Sequence, residues 1–352
     1  MKKSLLFGWA AAATVVLFGA CNQVPQPTTE TETGTLIVKP VLIGEGIATR
    51  TAGTDVVGKE ATVTSAQLLI FDTSGHLEYY TTLAGGVTSV PVQLRVGSMK
   101  AWVVANGPDL SNVKTESALT ATVLELSTYN DPSTDFVMAG SNTCTVTASN
   151  TADCVVEISR LVARVTLKSL TSNLPSAYGA VTVNYVMLEN VVSQCRIDGQ
   201  ASGLNWYNPM GRATESPLVA AHIVNPPTYA ADAPSLTYQT LGSSSSFNKG
   251  TSYTTPLRFY AYPNNTATDQ TGFATTFTAR YTRLVIKATI DGGTYYYPIS
   301  IPALARNKCY DVSVTLVGLG STDPDVPVVK GAFDASFTVK AWVAGSEITE
   351  SI

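Results

Sequence analysis

The sequence predicts an all-β protein, and three observations predict it: strand formers are abundant, turn residues are frequent, and apolar residues alternate at period two in run after run. Thr, Ser, Val, Ala and Tyr dominate while helix formers such as Glu, Lys and Gln are thin, and 26 Gly with 18 Pro in 352 residues supply the turns. Hydrophobic residues make up 45% and charged ones only 14%, the composition of a folded chain. Roughly 150 residues per domain gives an expectation of two domains.

Taken in order, the chain opens with Lys2 and Lys3 and an apolar run, residues 5–20, shorter than the ~20 residues a spanning helix needs. A basic start and a small-residue exit are the architecture of an export signal, residues 1–20. Cys21 follows Leu17-Phe18-Gly19-Ala20 directly, an ending that resembles the lipobox of bacterial lipoproteins, so Cys21 is the expected lipid attachment point. Residues 22–33 are a Pro/Thr/Glu tether. Residues 35–43 read as a first strand carrying Leu36, Val38 and Val41, with Pro40 suggesting an edge position. A loose Gly/Ala/Thr stretch, residues 44–54, leaves the Arg50–Thr51 bond open to a trypsin-like or Arg-specific protease.

Strands are then expected over residues 63–72, 76–82, 87–96 and 100–105, with one short helix within 112–127. Further strands follow at 136–141, 143–147 and 154–167, the last long enough to pass into a second domain, with the boundary placed near 165–170. Beyond it lie strands at 181–191, 255–262, 273–290, 294–301 and 309–316, interrupted by a Pro/Ser/Asn-rich excursion, 199–246. After a Gly/Asp/Pro linker, 318–327, residues 332–344 alternate strongly. Phe333, Ala335, Phe337, Val339, Ala341 and Val343 fall on one face, and Trp342 lies among them.

Chemistry is sparse. Nucleophile-elbow, zinc-protease, phosphate-loop and EF-hand patterns are all missing, His76 and His222 lie far apart, and Asp323 with Asp325 reads as a solvated turn, so no enzyme, cofactor or metal is expected. The net charge of −4 becomes −5 if residues 1–50 are lost, which excludes a basic nucleic-acid surface. Apart from Cys21 four cysteines remain, Cys144, Cys154, Cys195 and Cys309. Cys144 and Cys154 stand on opposite arms of an expected hairpin, so of the three connectivities open to four cysteines theirs is the favoured disulfide, with free buried thiols standing as an equal alternative.

A lipid anchor at Cys21, a cleavable loop at Arg50 just after a strand, and an apolar strand at the C-terminus together suggest assembly by strand exchange. The attached first strand competes at an effective concentration near millimolar, and cutting after Arg50 removes that tether. Its loss exposes an apolar groove and unpaired backbone groups that another copy's C-terminal strand can fill, with Phe337, Val339, Ala341, Trp342 and Val343 as the expected donor residues, giving a head-to-tail contact that does not close.

The sequence also resembles the fimbrillins of Bacteroidetes type V pili, in particular major shaft fimbrillins of the FimA kind. The resemblance is carried by Leu68-Leu-Ile-Phe-Asp-Thr-Ser-Gly-His-Leu-Glu, Ala101-Trp-Val-Val-Ala-Asn-Gly and Ile158-Ser-Arg-Leu-Val-Ala-Arg-Val-Thr-Leu. It is carried above all by Arg306-Asn-Lys-Cys-Tyr-Asp-Val-Ser-Val-Thr-Leu-Val-Gly-Leu-Gly-Ser-Thr-Asp-Pro-Asp and the ending Phe337-Thr-Val-Lys-Ala-Trp-Val. It implies two transthyretin-like β-sandwich domains in tandem, here 51–167 and 168–352, behind a lipidated propeptide, 21–50. It also implies an outer-membrane lipoprotein precursor, Arg-specific cleavage at Arg50, and polymerisation with itself and related pilins through a donated C-terminal strand. The product would be a cell-surface fimbrium supporting adhesion and biofilm formation. Two rival expectations stand beside it: an accessory or tip pilin of the same family, and a lipid-anchored glycan-binding surface protein with aromatic platforms at Trp206, Tyr207 and the triplet Tyr295, Tyr296 and Tyr297.

Overall fold

A computed structural model of the chain describes residues 32–43, 57–200, 206–207, 236–267, 269, 279–324, 331–342 and 347–348. The first half builds β1 (Thr33–Leu42), β2 (Ser65–Phe71), β3 (Leu77–Ala84), β4 (Val90–Arg95), β5 (Gly97–Ala105), α1 (Glu116–Thr120), β6 (Val123–Glu125) and α2 (Leu126–Tyr129). It continues with β7 (Asn130–Asp131), β8 (Asp135–Phe136), β9 (Met138–Val146) and β10 (Thr151–Arg160). The second half builds β11 (Ala163–Ser172), β12 (Val181–Glu189), β13 (Val191–Val192), β14 (Gln194–Arg196), β15 (Trp206–Tyr207), β16 (Tyr238–Gln239), β17 (Ser246–Phe247) and β18 (Ser252–Tyr253). After these come β19 (Leu257–Ala261), β20 (Thr282–Ile290), β21 (Gly293–Ile301), β22 (Lys308–Leu316), β23 (Phe333–Ala341) and β24 (Glu347–Ile348). The fold is all-β, as its alternating sequence predicts.

Strands of the first half join in the order β3-β2-β5-β9-β10-β1-β4. One apolar cluster gathers Leu83 of β3, Leu68 and Ile70 of β2, Val103 of β5, Val156 of β10, Leu36 and Val38 of β1, and Val92 and Leu94 of β4. Strands at opposite ends of the order can share a core only if the sheet folds over on itself as a sandwich. The fold-over lies at β9 and β10, whose ladder is confined to Ser159 opposite Ala139 and Arg160 opposite Met138. Gly140 permits the close approach there, since a β-carbon would lie 1.8 Å from the Glu157 carbonyl oxygen.

In the second half one sheet runs β18-β11-β22-β23-β24 with β19 also on β11, and the other runs β16-β12-β20-β21 with β17 on β12. Their shared core also takes Leu69, Phe71, Trp102 and Val104 from the outer face of β2 and β5. Both faces of β2 are therefore buried, which is why Ser65–Phe71 reads as a nearly unbroken apolar run.

Three local expectations change. Residues 154–167, expected as one strand, divide at Leu161 and Val162, both fully buried, where the chain leaves the first sheet for the second. The expected strands 136–141 and 143–147 are mostly one strand, β9, because Ser141 and Asn142 are both exposed, so that polar residues are tolerated on either face of it at that point. The expected helix is two short ones, the first opened by Thr115, whose hydroxyl accepts from the Ala118 N–H.

Candidate functional site

β1 lies between two partners, parallel to β10 over Thr35–Leu42 and antiparallel to β4 over Thr33–Val38. The edge position suggested by Pro40 is thus corrected: β4 is the edge and β1 the strand inside it. Pro40 is tolerated because the β4 ladder ends at Val38, two residues before the ring that has no N–H to offer. Leu36 and Val38 are fully buried, while Val41 is half-buried on the other face. At the far end of β1, Pro40, Leu42, Val63, Leu83, Val87 and Ile158 help to line an apolar cavity of about 400 Å³.

The expected cleavage residues Arg50 and Thr51, the lipid residue Cys21 and the strand residue Val343 lie outside the described residues. The segments flanking residues 44–56 both reach β10. Upstream, the Ile43 N–H donates to the Ile158 carbonyl at 2.8 Å. Downstream, the carbonyl of Glu60 accepts from Arg160 Nε at 2.6 Å.

Glu60 is fully buried. Its carboxylate accepts from Arg164 Nη1 at 2.7 and 3.0 Å, Tyr260 Oη at 2.7 Å, Trp342 Nε1 at 3.2 Å and the Val57 N–H at 2.9 Å. A buried carboxylate is tolerable only with such partners. Burial, with the Glu60 charge beside it, pushes the Tyr260 phenol well up, so that it remains a donor. The Trp342 ring stacks on Tyr260 at 6.0 Å, under the guanidinium carbons of Arg160 at 4.7 Å and Arg164 at 5.2 Å. No pattern in the sequence singles out Glu60. A lone acidic residue followed by Ala61 and Val63, with Arg160 and Arg164 four apart on a later run, was the available signal.

Of the C-terminal residues, Phe333, Ala335, Phe337 and Val339 of β23 are half-buried against the second core, and Ala341 is half-buried. Trp342, on the other face, is fully buried. β23 pairs with β22 along its length, from Leu316 opposite Phe333 to Lys308 opposite Ala341, and with β24 only at Val339 and Lys340. Lys340, itself buried, reaches Asp311 of β22 at 3.1 Å.

Cys144 and Cys154 form a disulfide with Cα atoms 5.8 Å apart, joining β9 to β10 beyond their ladder, whereas Cys195 and Cys309 are buried free thiols. The aromatic residues considered as sugar platforms are mostly interior. Tyr207 and Tyr297 are fully buried, Trp206 and Tyr296 nearly so, and the Tyr297 hydroxyl donates to the Gly318 carbonyl at 2.9 Å.

No family model matches the sequence, and no curated protein matches it. Solved structures do share its fold. A candidate cell adhesion protein of Bacteroides eggerthii is 21% identical with a TM-score of 0.61, covering 88% of this chain and 96% of its own. A fimbrilin of Porphyromonas gingivalis is 15% identical with a TM-score of 0.57, covering 89% and 99%. The tip fimbrial protein Mfa3 of the same organism is 12% identical with a TM-score of 0.53, covering 88% and 100%. The architecture is therefore a fimbrillin-like β-sandwich fold, shared over nearly the full length of each.

Proposed function

We propose that this chain is a structural subunit of a cell-surface pilus. It is exported as an outer-membrane lipoprotein through Cys21, cut after Arg50 by an Arg-specific protease, and polymerised head to tail as a C-terminal segment enters the place of β1. It consists of two tandem transthyretin-like sandwiches, close to residues 51–167 and 168–352, which would meet where the chain changes sheets at Leu161 and Val162. The fold shared with fimbrial and adhesion proteins supports a pilin role, and shaft is favoured over tip or accessory subunit by an arginine in the segment that follows β1, where cleavage would release that strand, and by the apolar alternation of residues 332–344.

The observation that carries this reading is the placement of β1. It is an inner strand, yet the chain continues from it directly into residues 44–56, which hold Arg50. Taking it out strips pairing from both β10 and β4 and leaves room for two fully buried side chains, Leu36 and Val38. Refilling is worth ~1.5–3 kcal/mol per apolar side chain and ~1 kcal/mol per ladder bond, enough to meet association costs of ~4–15 kcal/mol. While the strand is covalently attached no outside strand competes.

N-terminal sequencing and unboiled gels of material sheared from cells test the reading. A ladder of species beginning at Thr51 is expected. A monomer that begins at Cys21 would overturn it and favour an anchored glycan binder.

A further inference from the structure

The Glu60 cluster joins two segments that the strand-exchange reading sets moving at opposite ends of the chain. Residues 57–61 stand just downstream of the expected cut, and Trp342 directly follows β23, the last long strand among the described residues. We infer that Glu60 is a two-ended anchor: it holds the new chain start and the root of the C-terminal strand on one buried carboxylate, so release of β1 loosens neither and the donated segment begins beyond Trp342. The purpose given to the anchor rests on the proposed function, while the anchoring stands on geometry alone.

The two sides of the cleavage segment are held unequally. Upstream, Ile43 has a backbone bond to Ile158, a contact that any replacement strand can reproduce. Downstream, Glu60 is tied through its carbonyl to Arg160 and through its carboxylate to Arg164, Tyr260 and Trp342, contacts that no generic strand supplies. Cutting between them frees the first side and leaves the second held. Peeling β23 away would draw the indole from beneath two guanidinium groups, break its N–H bond to Glu60 and separate its backbone N–H from the Asn307 carbonyl at 3.1 Å. It would also split the buried Lys340–Asp311 pair, which is costly when one charge stays behind.

Hydrogen exchange on the full chain with Glu60→Gln tests the anchor, with Val156→Ala in the first core as control. Glu60→Gln should speed exchange of residues 57–61 and 333–342 together by tenfold or more and leave 35–42 unchanged, and Val156→Ala should do the reverse. Acceleration of only one segment, or an even acceleration across the chain, overturns the proposal. If Glu60→Gln does not fold, Trp342→Phe, which keeps a ring and loses the N–H, is expected to speed residues 57–61 through the same node, and no change there overturns it.

A cross-strand lock separates this inference from the reading it rests on. Ser313 and Ser336 face each other in register on β22 and β23, so Ser313→Cys with Ser336→Cys can tie the strands. Locked subunits cut at Arg50 should assemble as well as reduced ones. Assembly that needs reduction means β23 itself is donated, which overturns the anchor but keeps strand exchange; no assembly of the unaltered mature chain in any state overturns both.

Discussion

β1 and β23 are both alternating strands near a chain end, ten and nine residues long, yet they are held by different physics. β1 has ladders on both sides, two fully buried side chains and an exposed Lys39–Asp153 pair at 2.5 Å. β23 has one long ladder, the buried Lys340–Asp311 pair and Trp342 locked on Glu60. Backbone ladders and alternating apolar side chains are generic, so another strand can take them over, whereas buried charges and an aromatic with fixed partners are individual. The strand with more backbone bonding is thus the more replaceable one.

The largest effect that could break this comparison comes from Trp342. Trp342→Ala removes a fully buried indole and should cost about 3–5 kcal/mol. Val38→Ala removes part of a side chain whose whole burial is worth about 1.5–3 kcal/mol, and should cost less. Urea unfolding of the two variants against the parent chain measures both. Equal losses, or a larger one at Val38, would mean that β1 is the better-anchored strand.

Much of this contrast was legible in the sequence and some was not. Apolar patterning gave β1, β2, β5, β21 and β22 nearly at their observed limits, whereas the strand expected over 273–290 begins only at Thr282 as β20, residues 279–281 being outside any strand. Alternation also gave β23, but it could not tell that Trp342, out of phase with Phe337 and Val339, is the residue most deeply held. The division at Leu161 and Val162 was hidden, since a strand that changes sheets while staying buried shows no break in hydrophobicity. Pro40 suggests an edge position that β1 does not hold, because a proline reports only on its own side of the ladder and only at its own position. Glu60 was beyond reach, as its partners come from positions 57, 164, 260 and 342, which meet only in the folded chain.

The next effect is smaller and belongs to the first half. The Cys144–Cys154 bond closes a loop at a sequence separation of 10, for which chain entropy suggests roughly 2–3 kcal/mol. It spans the fold-over between β9 and β10, beside the strand that β1 pairs with, so it should keep the slot in shape when β1 is gone. Replacing both cysteines by Ser should lower the unfolding midpoint of a chain lacking residues 1–50 more than that of the full chain. An equal drop in the two would show that the disulfide has no special bearing on the emptied slot.

The smallest effect is a silence at ordinary pH, and it reports on β23. Burial pushes the thiols of Cys195 and Cys309 up to about 12, from an ordinary value of 9.0. The folded value is the higher one, so below about 9 both states keep the proton and these groups give stability no slope. Between about 9 and 12 the unfolded chain loses protons first, and stability falls as pH rises. Iodoacetamide at pH 8 should therefore leave both cysteine-containing peptides unlabelled, read by mass, until the chain unfolds. Cys309 lies opposite Lys340 of β23, while Cys195 sits on β14, away from it, as an internal reference. If β23 lifted as readily as a replaceable strand should, Cys309 would label well ahead of Cys195. Equal protection of the two in a chain already lacking β1 is what an anchored β23 requires, because removing one end strand then leaves the other undisturbed.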